Sequence, residues 1–222
     1  MKSVVEKENP KSSSSSRLRR WTVNLALVLG GCAVALLLVE ILLRIVFPFP
    51  QPQMLETDDR VGHRHRPGLH GFQVEEGFAE YRINSHGFRD REYSVEKPPG
   101  VFRIGVLGDS FAEAIQVDLA DTFHSLIEDR LNRVEVLNFG VSGFGTAQEL
   151  LTYRHYARQF EPDLVLLLFC SVNDLTDNSR ALTGGYPRPY MEIEDGELQI
   201  DERFLKSRRH RVLKRFGPFY YF

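Results

Sequence analysis

The chain has 222 residues, 42% of them hydrophobic and 26% charged, and a formal net charge of −2. That supplies an ordinary globular core and gives no general basis for binding nucleic acid. Its two cysteines, Cys32 and Cys170, lie in or at the end of apolar runs and make no disulfide framework, and no internal repeat or metal-type Cys/His spacing is present.

Residues 1–20 are polar, with a serine run over 12–16 and six Lys/Arg against Glu6 and Glu8. Such a segment cannot bury a core and is expected to be a disordered cytoplasmic tail. From Trp21 the composition changes. Val23 to Val39 holds no charge, and the apolar character runs on to Phe49. A bilayer core takes about 20 such residues, so 21–49 reads as one transmembrane helix. The basic flank precedes it, which keeps the N-terminus in the cytoplasm and places the rest outside, periplasmic or extracellular. Glu40 and Arg44 are spaced to pair on one face, and Pro48 and Pro50 end the helix. A cleaved signal peptide needs a shorter apolar run and a small-residue cleavage site. Leu29 to Cys32, LGGC, resembles a lipoprotein cleavage box, but a long apolar run follows where a polar tether belongs. The reading taken is an uncleaved anchor.

Residues 50–100 read as a membrane-proximal linker containing a β-hairpin, its two alternating runs at Phe72–Glu75 and Glu80–Ile83. His63, His65 and His70 invite a metal reading, but Arg64 and Arg66 would repel a cation, so a solvated basic surface is expected. Pro98-Pro99-Gly100 marks a domain start.

Residues 101–222 carry an α/β pattern. Phe102–Leu107 is a short apolar strand. Residues 121–133 place Phe123, Leu126, Ile127 and Leu131 on one helical stripe, with Asp121 as its N-cap. Val134–Phe139 is the second strand. Thr146 to Glu149 is a capping-box signature opening a helix in which Leu150, Tyr153 and Ala157 share a face, ended by Pro162. Asp163–Phe169 is a third strand, nearly all apolar, as when helices cover both faces of a parallel sheet. The strands start about 32 and 29 positions apart. That is β-α-β-α-β, an open doubly wound sheet with the strands in the order second-first-third. Ligands bind beyond the carboxyl ends of such strands, and here those ends are Gly108-Asp109-Ser110, Gly140 to Gly145, and Ser171 to Asp174.

These three blocks, VLGDSF, LNFGVSGFGT and FCSVND, resemble those of the SGNH (GDSL-type) hydrolase family, over roughly residues 101–180. The resemblance implies a flavodoxin-like, three-layer α/β/α fold with a parallel sheet. It also implies an esterase that cleaves an oxygen ester through an acyl-serine intermediate, with Ser110 as nucleophile. The chemistry of the residues agrees. Ser110 would sit on a strand-to-helix turn at the sheet rim. The oxyanion needs donors placed in advance, and the backbone N–H groups of Ser110 and Gly143 and the amide of Asn173 can supply them. Asp109 and Asp174 support these loops. Each residue also has a plainer reading, as helix cap, turn glycine or Asx turn. No metal or organic cofactor is implied, and the partners are an acyl-ester substrate and the membrane, with no nucleic acid. An O-acyltransferase acting on surface polysaccharide would share the same residues. A non-catalytic binding module could share the fold.

The family's general base is a histidine in an Asp-x-x-His block near the domain's C-terminus, after two further strands. This chain ends at RFGPFYYF without either, and is expected to be a fragment whose base lies beyond residue 222. Asp121 to His124 fits the block literally but lies at a helix start. In residues 181–222, Asp195-Gly196 is a hairpin turn between two alternating strands, and the basic, aromatic segment after Arg203 is a surface helix.

Overall fold

The structure, a computed structural model, describes residues 12–46, 54–74, 77–183 and 187–216, without the side chains of 12–16, 43–46, 213 and 216. It divides into two units, 1–50 and 51–222.

The first unit is one helix, α1 (Ser12–Val46). Its Arg17–Leu42 stretch of 26 residues is long and apolar enough to span a membrane, and none of it is buried in protein. A helix that is apolar all round, with Leu25, Leu29, Leu36 and Val39 all exposed, has no core-facing stripe to satisfy within the chain. The helix starts earlier than expected. Ser12–Arg20 is helical rather than disordered, because each residue added to an existing helix gains a hydrogen bond without a new nucleation cost. The expected Glu40–Arg44 pair and the stop at Pro48 and Pro50 lie outside the described residues and side chains.

The second unit is built on a three-stranded parallel sheet of β5 (Phe102–Leu107), β6 (Val134–Asn138) and β7 (Leu164–Leu167). β5 is central, with Ile104 opposite Val136 on one side and Leu164 on the other. The order is the expected second-first-third. Successive residues of β5 and β6 feed two cores. Leu107 and Leu137 pack with Phe139, Leu151, Phe160 and Phe88 on one face, and Ile104, Val106 and Val136 with Ala112, Phe123 and Ile127 on the other.

The helices differ from expectation in detail. The stripe helix, α3 (Phe123–Arg130), is capped at Thr122, and Asp121 instead closes a 3-10 turn over Leu119–Asp121. Leu126 and Leu131 stay more than a third exposed. The next helix, α4 (Thr146–Thr152), has Gly145 at its N-cap position, and the Gln148 side chain accepts the Gly145 N–H at 3.1 Å. Thr146 is therefore the first helical residue, not the cap. A π turn over Tyr153–Ala157 shifts the helix phase, so Leu151 rather than Leu150 is the buried leucine beside Ala157. The largest departure is β7. Its run predicts burial on both faces, yet Leu164, Val165 and Leu167 are each more than a third exposed, because its faces are only partly covered by the described residues.

Residues 54–100 are packed into this same unit rather than strung out before it. They form two antiparallel pairs, β1 (Leu55–Asp58) with β2 (Gly62–His65), which was not expected, and β3 (His70–Gln73) with β4 (Ala79–Arg82), the expected hairpin with slightly shifted bounds. The irregular chain after β4 is tied down by buried polar groups. Arg103 of β5, fully buried, donates to the carbonyls of Ser94, Val95, Glu96 and Phe160 and pairs with Glu135 at 2.7 Å. Arg89 donates to the carbonyls of Glu113, Ala114 and Val117. The short helices α2 (Ser110–Glu113) and α5 (Asp174–Asp177) follow β5 and β7. β8 (Tyr190–Glu194) and β9 (Glu197–Asp201) form the hairpin foreseen at Asp195-Gly196, both turn residues having positive φ as a type I′ turn requires. Helix α6 (Arg208–Phe216) is fixed to the β1–β2 turn through Asp59, which accepts from His210 at 3.0 Å and Lys214 at 2.6 Å.

Candidate functional site

The three strand ends meet through side-chain hydrogen bonds. After β5, Asp109 caps the turn that carries Ser110: its Oδ1 accepts the Phe111 N–H at 2.9 Å. After β6, Asn138 donates to Ala112 O at 2.8 Å and accepts the Gly140 N–H at 2.9 Å. Gly140 lies so close to α2 that a Cβ there would come within 2.6 Å of the Ala112 Cβ, so no larger residue fits. After β7, Asp174 Oδ2 accepts the Cys170 N–H at 2.6 Å and folds the loop back, presenting Asn173. Asn173 Nδ2 then donates to Asp109 Oδ2 at 2.9 Å, beside Ser110. Ser110, Gly143 and Asn173 thus belong to one connected rim, and hydrogen bonds of Asp109 and Asp174 hold its loops.

The rim contains residues that the sequence reading passed over. Arg188, nearly fully buried, donates through one guanidinium nitrogen to Gly143 O and through the other to Asp177 Oδ1 at 2.8 Å. Asp177 also accepts from Asn173 Nδ2 at 3.2 Å. Both Asn173 amide hydrogens are thereby committed to carboxylates, so the amide reaches a substrate oxygen only by giving up one of these bonds. Glu113, at the end of the turn that begins at Ser110, is fully buried. Its Oε1 accepts from His65 Nε2 at 2.9 Å, and its Oε2 accepts both the N–H, at 2.8 Å, and the Oγ–H of Ser142. Burial alone would raise its carboxyl; the adjacent His65 and the bonds from His65 and Ser142 outweigh this and hold it below the usual carboxylate range.

His63 and His65 correct the expectation of a solvated basic surface. Both are buried, His63 with Nε2 2.8 Å from Ser142 O. Burial pulls His63 down to about 4, so its ring is neutral at pH 7. Only His70 of the three is exposed. Alternation in β2 was the missed signal: residues 63 and 65 share one face and Arg64 takes the other. Glu113 had a weaker one, lying one helical turn after Ser110. Nothing local marks Arg188, which sits in an irregular segment.

Acidic groups crowd the rim. Glu149 on α4 is buried with neither carboxylate oxygen hydrogen-bonded among the described residues. Burial first, then the charges of Asp174 and Asp109, push it up to about 8, so it is protonated at neutral pH. Asp174 is raised too, by burial and by Asp109 and Asp177. No group of three or more His, Cys, Asp or Glu among the described residues is arranged to hold a metal. No histidine is hydrogen-bonded to Ser110 Oγ among the described residues. His124 contacts Thr122 Oγ1 at 3.3 Å and lies 3.7 Å from Asp90 rather than pairing with Asp121. An apolar cleft of about 630 Å³, floored by Leu107, Val165 and Leu167, is lined by none of Ser110, Gly143 and Asn173. No family model matches this chain, and no curated protein matches it.

Proposed function

We propose that the chain is a membrane-anchored serine esterase of the SGNH type, its α/β unit an SGNH, flavodoxin-like domain on the outer side of the membrane. The observation that carries the reading is the Asn173–Asp109 hydrogen bond, which draws the third strand end to the turn bearing Ser110 while Asn138 and Gly140 close the Gly143 loop onto the same turn. Ser110 Oγ attacks the ester carbonyl carbon and gives its proton to a general base. The oxyanion that forms takes the N–H groups of Ser110 and Gly143 and, released from Asp177, the Asn173 amide. The carbon–oxygen bond to the alcohol breaks, the alcohol leaves with a proton, and water then hydrolyses the acyl-serine. No described histidine is assigned the base. Asp109 acts through hydrogen bonds, not as an acid.

The orientation follows from the Lys/Arg flank before α1: residues 1–20 inside, 51–222 outside. A reporter fused after Asp59 is expected to be active only outside the cytoplasm. The chemistry is tested by treating the protein in its native membranes with a fluorophosphonate and locating the adduct by mass spectrometry. The adduct is expected on Ser110 and is lost in Ser110→Ala. Labelling that survives Ser110→Ala, or none at all, overturns the reading. A sugar ester formed from an acyl donor, in place of free acid, would make the enzyme an acyltransferase with the same nucleophile.

A further inference from the structure

Ser142 has all its polar groups engaged. Its N–H and Oγ–H go to Glu113, and its carbonyl is 2.8 Å from His63 Nε2. A carbonyl can only accept, so His63 is the donor and its neutral ring carries the proton on Nε2. The peptide that holds this carbonyl also holds the Gly143 N–H. That peptide is trans and planar, so its C=O and N–H point in opposite directions, and fixing one fixes the other. The neighbouring groups are pinned as well, Ser142 N–H by Glu113 and Gly143 O by Arg188. Gly143 itself has φ +78°, a left-handed conformation that glycine adopts without strain and that sets the peptide at this angle. The His63 ring is held edge-on against Phe144, with centroids 5.2 Å apart.

We infer that His63 is a positioning residue: through the Ser142–Gly143 peptide it aims the Gly143 N–H at the oxyanion. The inference rests on the serine-esterase reading. It gives the β1–β2 pair, which directly follows the anchor segment in sequence, a part in the chemistry of a loop 79 positions further along. His63 touches no reacting atom. Its loss leaves Ser110 in place and removes the bond on that peptide's own carbonyl, so the Gly143 N–H can tilt between its pinned neighbours.

The test uses His63→Phe, which keeps a ring against Phe144 but cannot donate, and His63→Gln, whose amide nitrogen can reach the same carbonyl. Each is made in the full chain, assayed in membranes with a fluorophosphonate and with p-nitrophenyl acetate, and checked by its melting temperature. In His63→Phe the rate of Ser110 labelling is expected to fall on the order of tenfold, less than the roughly 10²–10³-fold cost of deleting an oxyanion donor. The loss should appear in kcat with KM unchanged, since the contact matters where negative charge develops. His63→Gln should stay within about threefold of wild type. Should His63→Phe fail to fold, His63→Asn, whose amide falls short of Ser142 O, replaces it. A folded His63→Phe or His63→Asn labelled at the wild-type rate overturns the inference, as does His63→Gln falling as far as His63→Phe. Labelling that survives Ser110→Ala overturns the esterase reading instead, so the two failures are told apart.

Discussion

The two edges of the parallel sheet are finished in opposite ways. Along β6 three outward backbone groups are met by side chains. Glu128 accepts the Val136 N–H at 2.7 Å, Tyr93 donates to Val136 O at 3.0 Å, and Asp90 accepts the Asn138 N–H at 2.7 Å. Along β7 no side chain hydrogen-bonds the backbone of Leu164–Leu167 among the described residues, and three of the four side chains are more than a third exposed. β7 is apolar throughout, while β6 carries Glu135 and Asn138 among its apolar residues. The chain around them differs too: residues 84–100 wrap the β6 side with Asn84, Arg89, Asp90, Arg91 and Tyr93, all engaged in hydrogen bonds. One edge is closed against pairing by specific polar contacts, and the other keeps its pairing capacity.

The closed edge is the costly one to disturb. Arg103 is fully buried, holds three carbonyls of the wrapping chain and that of Phe160, and pairs with Glu135. Removing one partner of a buried ion pair typically costs about 3–5 kcal/mol, because the other groups are left unpaired in a low dielectric. Arg103→Met should therefore lose about 3–5 kcal/mol in chemical denaturation. A loss below about 1 kcal/mol would mean that residues 84–100 are not fastened to β5 as described.

A second prediction concerns pH. Glu149 and Asp90 are both held above the usual carboxyl range by burial, to about 8 and about 7. Each keeps a proton in the folded state that the unfolded chain releases, so the stability these two groups contribute should fall as pH rises from about 4.5 towards 8, against the opposite contribution of the buried His63 and His124, both lowered to about 4. Glu149→Gln removes one such group, near the rim, and leaves Asp90 at the closed edge. Relative to wild type, the slope of stability against pH should shift upward by up to about 1.4 kcal/mol per pH unit over that window. An unchanged slope would show that Glu149 ionises freely, with a partner the structure does not give it.

The smallest effect belongs to the open edge. Leu164→Lys at an exposed edge position should change unfolding free energy by about 0.5 kcal/mol or less and reduce self-association at high protein concentration. A loss above about 2 kcal/mol would show that another surface covers β7 in solution.

The contrast also explains what the sequence revealed. The three strands and their polar ends are legible because buried strands are short apolar runs and their ends break into Gly, Asp, Ser and Asn, as at Gly108 to Ser110. The Asp195-Gly196 turn is legible because its backbone demands those residues. How fully each strand is covered is less legible: the near-continuous apolar run of β7 suggests two covered faces, but burial depends on what packs there, and that is not encoded in the run. Charged residues mislead for the same reason. Arg64 made its neighbours His63 and His65 look solvated while alternation turned both inward. The rim was found from its strand ends; its ties, Glu113 and Arg188, come from pairings 29 and 45 positions apart in the chain, which no local pattern reports.

The central claim is that three strand ends build one oxyanion site around Ser110. A high-resolution crystal structure of the Ser110–phosphonate adduct tests it most directly. The account predicts the phosphonyl oxygen about 2.7–3.1 Å from the backbone nitrogens of Ser110 and Gly143, with the Asn173 amide turned from Asp177 to that oxygen and still bonded to Asp109. A phosphonyl oxygen turned to solvent, with Asn173 still held by both carboxylates and Gly143 N–H directed elsewhere, would contradict it.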